Sequence, residues 1–385
     1  MTPSKRDERD VVLMESLREM IERREAARVE ELRVEPIAAD RAAGELKQIG
    51  YGLPLRLRYR AHGQEKTAVF RTQAPNWFGH DRRSDRACLT LLAADTFADQ
   101  PEHLRVLEVG AVCGDKLVSL QGGGEFYLLT NYVDGTLYAE DLRKLETRLA
   151  ASTLDLERAA RLARHLAQLH APHRGPNSRE LYQRAVRDLL GSGEGIFGIV
   201  DSYPRDFADA DLLAQIEELA LRWRWRLGRV EQPPLCRTHG DFHPYNLLFR
   251  EGTEFTALDA SRGGVGDAAD DLSALAVNYL FGGLRFPEAW PAGFGTLWKT
   301  FFAEYFAHSS DPLVFERMAP FCAWRLLVLA SPTWYPSVTP ELRRVLLSLA
   351  IHWLEGKRFD PNVIETALAA EDLALLRVSV ATRVA

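Results

Sequence analysis

Cysteine is scarce in this chain and scattered where it occurs. The four residues, Cys88, Cys113, Cys236 and Cys322, form no C-x-x-C pair and no closely spaced framework. That excludes a disulfide-stapled secreted fold and predicts free thiols in a reducing compartment. Long apolar runs are missing too, none approaching the ~20 residues that span a bilayer. The first ten residues carry Lys5, Arg6, Asp7, Glu8, Arg9 and Asp10, too charged for a secretory leader. A cytoplasmic location with no membrane partner is therefore expected. A basic surplus is also absent: the formal charge is −6 and the pI near 6.0, which argues against a general nucleic-acid binder. Fixed-period repeats and low-complexity blocks are lacking.

Apolar residues are plentiful, 46% of 385 positions, so the chain can bury more than one core. The pattern divides into an N-terminal helical extension (1–40), a strand-rich lobe (41–133) and a mainly helical lobe (134–385). Leu13, Leu17, Met20 and Ile21 recur at helical spacing and predict a lid-like or packing helix from about Val11 to Leu32. From Gly44 to Val133 short apolar strands are expected. Ala61-His62-Gly63-Gln64 and Gln121-Gly122-Gly123-Gly124 read as hairpin turns, and one helix lies near Asp81 to Phe97. After Gly135 the spacing turns helical. Segments are expected near Glu140–Leu149, Leu154–His170, Arg179–Leu190 and Asp209–Leu227. Beyond the central motif come Ala274–Phe281, Leu297–Phe306, Val314–Leu329, Pro340–Leu354 and Pro361–Leu376.

The motif carrying the chemistry is His239-Gly240-Asp241-Phe242-His243-Pro244-Tyr245-Asn246, followed by the apolar Leu247, Leu248 and Phe249. Its H-x-D-x-x-x-x-N spacing is the one with which phosphoryl-transferring kinases place a base and a magnesium ligand on one loop. A second acid, Asp259, ends the expected strand Phe255–Leu258. Phosphoryl transfer has a loose transition state, so catalysis rests on positioning and charge neutralisation. Asp241 would orient the acceptor hydroxyl and take its proton, while His239 braces the loop. Asn246 offers a neutral oxygen and Asp259 a charged one, a hard-ligand pair suited to Mg²⁺ shared with nucleotide phosphates.

On these residues the chain resembles the aminoglycoside phosphotransferase and choline kinase group of small-molecule kinases. Gly240, where protein kinases usually carry Arg, is typical of that branch. The run Leu258-Asp259-Ala260-Ser261-Arg262-Gly263-Gly264-Val265-Gly266-Asp267-Ala268-Ala269-Asp270-Asp271-Leu272 also looks like the family. The resemblance implies an α+β, bilobal, protein-kinase-like fold and ATP or GTP as phosphoryl donor. It also implies a small hydroxylated acceptor. Asp259 is carried over as a metal ligand, and Asp267 and Asp271 as loop and helix-start support. Tyr127 to Gly135 resembles the strand-to-hinge passage, where backbone groups around Thr130 and Tyr132 would face the adenine. Ala159 to His170 resembles the family's helix ending in Leu-His. The similarity covers roughly residues 43 to 285.

Departures from the family pattern sit near the N-terminus. Gln48-Ile49-Gly50-Tyr51-Gly52 offers only a short G-x-G. On the expected strand Thr67–Thr72, Arg71 stands where the family carries its nucleotide-binding Lys, and Asp85 is the candidate for its acidic partner. Guanidinium suits phosphates but forks differently from lysine. That substitution motivates an alternative, a kinase-like regulatory module without transfer activity. A second alternative is a metal-dependent hydrolase using His239, Asp241 and His243. Gly191-Ser192-Gly193-Glu194-Gly195 reads as an inter-helix turn, because no Gly-Lys-Ser/Thr follows. Trp223 and Trp225, alternating with Arg222, Arg224 and Arg226, fit a helix burying one Trp with solvated arginines, or a stacking surface for a ligand. The acids Asp201, Asp206, Asp209, Asp211, Glu217 and Glu218 fit a solvated helix start, or an acidic acceptor cleft.

Overall fold

The structure is a computed structural model and describes residues 5–37, 54–260, 264–356 and 359–362. The chain divides into two compact units, Met1–Thr130 and Asn131–Ala385. The first contains α1 (Lys5–Glu25), β1 (Glu31–Pro36), β2 (Leu55–Ala61), β3 (Gln64–Phe70), α2 (Arg83–Thr96), β4 (Gly110–Cys113) and β5 (Lys116–Ser119). Strands β1, β2 and β3 form an antiparallel sheet, with Val34 opposite Leu57 and Leu57 opposite Ala68. The alternation Leu55, Leu57, Tyr59, Ala61 turns one face of β2 inward. Leu57, Tyr59 and Ala61 then meet Leu17 and Ile21 of α1 and Val29 in a small core. The β2–β3 hairpin turns at His62 and Gly63, as expected, with φ of 52° and 68°. Two successive left-handed residues are what a tight hairpin needs.

Two sequence expectations are corrected in this unit. The first helix ends at Glu25 rather than near Leu32, because Ala26 turns left-handed at φ 49°. Glu-Leu-Arg-Val-Glu-Pro, with its period-two alternation, then pairs as β1. The second hairpin turns between Cys113 and Lys116 around Gly114, at φ 64°, rather than at Gln121–Gly124. The latter segment turns only after β5 has ended, with the Gly123 N–H donating to Leu120 at 2.9 Å.

The second unit is mainly helical. Its helices are α3 (Tyr138–Arg148), α4 (Thr153–Leu169), α5 (Ser178–Gly191), α6 (Ile196–Asp201), α7 (Ala210–Leu227), α8 (Ala268–Arg285), α9 (Phe294–His308), α10 (Met318–Ala330) and α11 (Pro340–Glu355). The strands are β6 (Thr136–Leu137), β7 (Leu235–Thr238), β8 (Leu247–Phe249), β9 (Phe255–Ala257) and β10 (Gly264–Asp267). The expected helices through Leu354 are all found. The expected start at Val314 is one 3₁₀ turn, with α10 beginning at Met318. Most of the expected Pro361–Leu376 helix lies outside the described residues, as does Gln48–Gly52. Helix α8 is buried on nearly every face and packs against α9 and α10. Strand β7, which leads into the key motif, packs against this helix. The α+β organisation, a small unit of antiparallel strands and a large helical one, is that of the expected kinase-like fold.

Candidate active site

Strand β7 delivers the motif and β8 carries it away. Antiparallel pairing of β7 with β10 sets Leu235 opposite Asp267, at the start of α8. Asp267 caps that helix by accepting from the Ala269 N–H at 3.1 Å, and also accepts from Tyr182 and Arg317, each at 2.7 Å. One turn into α8, Asp271 is fully buried and seats the loop. Its two oxygens accept the backbone N–H groups of His239 and Gly240, both at 2.8 Å, and His170 Nε2 donates at 3.1 Å. The Tyr305 hydroxyl lies 3.0 Å from the other nitrogen of His170. Burial alone would raise the Asp271 carboxyl. The His170 bond and the two backbone donors outweigh it and hold the group below its ordinary range. Gly240 takes φ 84°, a left-handed turn that glycine makes without strain.

That turn presents Asp241, whose side chain is 21% exposed. Oδ1 accepts from Arg325 Nη1 at 2.7 Å, and Oδ2 lies 3.3 Å from His243 Nε2. Burial pushes this carboxyl up, but the His243 bond and the Arg325 charge win and keep it well below the usual carboxylate range. Asn246 Nδ2 donates to the Asp241 carbonyl at 3.0 Å and to Oδ2 at 3.2 Å. Among the described residues its amide oxygen accepts no hydrogen bond. His239 Nδ1 accepts from the Asp241 N–H at 3.3 Å, while its buried Nε2 has no partner among the described residues. The ring packs edge-on to Phe242, 5.5 Å between centroids.

Asp259 reaches the same end of the β8–β9 hairpin. Leu247 pairs with Ala257, and the Leu258 N–H donates to the Asn246 carbonyl at 2.8 Å. Asp259 is exposed and left-handed at φ 47°. For a non-glycine residue that conformation costs on the order of 1 kcal/mol, a strain that recurs at ligand-binding positions. The hydrolase cluster has no comparable geometry. His239 and His243 each commit Nδ1 to a backbone N–H. Among the described residues no group of three or more His, Cys, Asp or Glu is arranged to hold a metal ion.

The nucleotide candidates are spread out. Arg71 follows directly after β3, is exposed, and lines a cavity of about 630 Å³ with Thr72, Gln73, His80, Leu89 and Leu92. Asp85 instead closes a capping box at the start of α2, accepting the Arg82 N–H at 2.9 Å. No hydrogen bond joins Arg71 to Asp85 among the described residues. Thr130 and Tyr132 are both exposed, in a stretch without strand structure. Among the described residues strands β4 and β5 pair only with each other, and Tyr127 to Thr130 form no strand.

Two further charged residues belong to the site. Arg325 and its second acid, Asp270 (2.9 Å), lie beside Asp241. Arg325 is the only charged residue in the apolar helix Met318–Ala330, and a charge so placed has to find a buried partner. That signal was present in the sequence without indicating which partner. Elsewhere, Trp223 is buried and donates to the Leu354 carbonyl at 2.8 Å, while Trp225 is exposed under Arg229. Asp209 pairs with Arg344 at 2.7 Å.

Residues 45–309 match the phosphotransferase enzyme family. The chain belongs to that family. It is a phosphotransferase. No curated protein matches it in sequence. Solved structures similar to it include an ethanolamine kinase of Plasmodium vivax, at 13% identity and TM-score 0.33, covering 89% of this chain and 86% of that one. A glucosamine kinase is 15% identical at TM-score 0.37, covering 89% and 81%. A macrolide 2'-phosphotransferase of Brachybacterium faecium is 16% identical at TM-score 0.30, covering 88% and 98%. Likenesses this distant say nothing about the acceptor. None of the described helices is long and apolar enough to cross a membrane.

Proposed function

We propose that this protein is a Mg²⁺-dependent O-phosphotransferase that uses ATP or GTP and acts on a small hydroxylated molecule. The observation that carries the reading is the pairing, on one loop seated by Asp271, of an ionised Asp241 with an Asn246 whose amide oxygen accepts no hydrogen bond among the described residues. Asp241 orients the acceptor hydroxyl. Because its carboxyl is held low it is a weak base, and it takes the proton late, as the new oxygen–phosphorus bond forms. His239 holds the backbone of Asp241 in place. The amide oxygen of Asn246 and the exposed carboxylate of Asp259 suit a hard divalent ion. Mg²⁺ bound by them would neutralise charge on the nucleotide phosphates. Arg71 is the candidate for contact with the phosphates and the backbone around Thr130 and Tyr132 for contact with the base, while Asp85 would have to leave its helix cap to support Arg71.

The surroundings of Asp241 bear on the acceptor. Arg325 and His243 face its carboxylate, and Asp270 is already paired. Such a setting does not favour a polycation. The test is a nucleotide-consumption screen against hydroxylated metabolites and antibiotics, with products identified by the mass of one added phosphoryl group. Turnover with one acceptor class supports the reading. Tight nucleotide binding with no transfer to any acceptor would favour the regulatory module, and stoichiometric zinc in the purified protein the hydrolase.

A further inference from the structure

The loop His239–Asn246 carries no arginine, and a helix far along the chain brings one to Asp241. Arg325 on α10 uses both ends of its fork. Nη1 donates to Asp241 Oδ1 at 2.7 Å, while Nη2 donates to Asp270 Oδ1 at 2.9 Å and to the Gly240 carbonyl at 3.3 Å. The guanidinium lies 3.9 Å from the Trp324 ring centroid, and Trp324 is fixed by donating to the Glu194 carbonyl at 2.7 Å. The side chain of Arg325 is only 11% exposed. A planar fork held on two acids and a ring has little freedom to turn.

The two oxygens of Asp241 are consequently unequal. Oδ1 is committed to a short charge-assisted bond. Oδ2 lies at longer range from Asn246, 3.2 Å, and from His243, 3.3 Å. We propose that Arg325 is a positioning residue for phosphoryl transfer: it fixes the rotamer of Asp241 so that Oδ2, and not Oδ1, meets the acceptor hydroxyl. Asp270 anchors the other half of the fork to α8, the helix whose Asp271 seats the loop. The same α8 therefore holds the loop backbone directly and the Asp241 side chain through Arg325. This inference rests on the phosphotransferase reading above.

The experiment is steady-state kinetics on Arg325→Ala, Arg325→Lys and Asp241→Asn, with thermal unfolding of each. Misplacing a reacting group by about 1 Å costs roughly 10²-fold. Arg325→Ala is expected to lose about that much kcat with the nucleotide KM nearly unchanged, and to recover in part when millimolar guanidinium is added. Arg325→Lys, which keeps the charge but not the fork, should fall between Arg325→Ala and wild type. An Arg325→Ala with wild-type kcat, beside an inactive Asp241→Asn, would overturn the proposal and leave the phosphotransferase reading intact. So would equal losses in Arg325→Ala and Arg325→Lys that follow a lowered Tm and resist guanidinium. An active Asp241→Asn would remove the reading on which the proposal stands.

Discussion

Asp271 and Asp85 are both acids in the first turn of a helix, and their settings differ in almost every respect. Asp271 is fully buried and takes two loop N–H groups and a histidine. Asp85 is partly exposed, and its carboxylate caps its own helix. The difference recurs around them. Helix α8 is buried on nearly every face, whereas α2 has no buried residue. The loop proposed to act on the acceptor is over-determined by its seat. The nucleotide candidates stand on open elements, where ligand contacts would have to supply the order.

The largest expected break in this comparison is at the seat. Asp271→Ala leaves two buried N–H groups and a histidine unsatisfied, and should destabilise the protein by about 3–5 kcal/mol with loss of transfer. Chemical unfolding checks it. Because Asp271 is lowered in the folded state, its contribution is present above its unfolded value near 3.8 and is lost as pH falls through the lower folded value. The stability of Asp271→Asn should accordingly fall less steeply than wild type as pH drops below 4. Asp85→Ala should cost only about 1 kcal/mol, the scale of a lost cap.

Next in size is the proposed metal pair. Asp259→Ala should weaken Mg²⁺-nucleotide binding about 10-fold or more while leaving metal-free nucleotide binding nearly unchanged, and Asn246→Ala should do so less strongly. Calorimetry with and without Mg²⁺ separates the cases; equal affinities would remove Asp259 from the metal role. Smaller again, Arg71→Ala should raise the nucleotide KM about 10-fold, the scale of one charge-assisted bond, and the acceptor KM less. If nucleotide draws Arg71 and Asp85 together, their double change costs less than the sum of the singles. Additive losses would leave Arg71 acting alone. Smallest is Lys66→Ala, whose pair with Glu25 at 2.5 Å is partly exposed and should contribute within about 1 kcal/mol. An unchanged nucleotide KM in that variant would separate it from Arg71.

What the sequence made legible follows the same division. The loop motif stood out because phosphoryl transfer would demand an acid and a hard ligand at fixed spacing, and the helices of the second unit were readable because their apolar periodicity is strong. The full role of Asp271 was not readable. Its place at a helix start suggested capping, and only the tertiary structure brings it under His239 and Gly240. Arg325 lies 84 residues from Asp241, a separation no local pattern spans. In the first unit the strands were readable, but the end of α1 turned on one left-handed residue, Ala26, that composition does not announce.

Phosphoryl transfer by Asp241→Asn, measured beside nucleotide binding in the same preparation, tests the central claim most directly. Replacing the carboxylate by an amide keeps its size and removes its charge and basicity. The turnover number is expected to fall by well over roughly 10²-fold, positioning and base effects combining, with nucleotide affinity nearly intact. Full transfer activity in the folded variant would contradict the assignment of Asp241 to the acceptor hydroxyl.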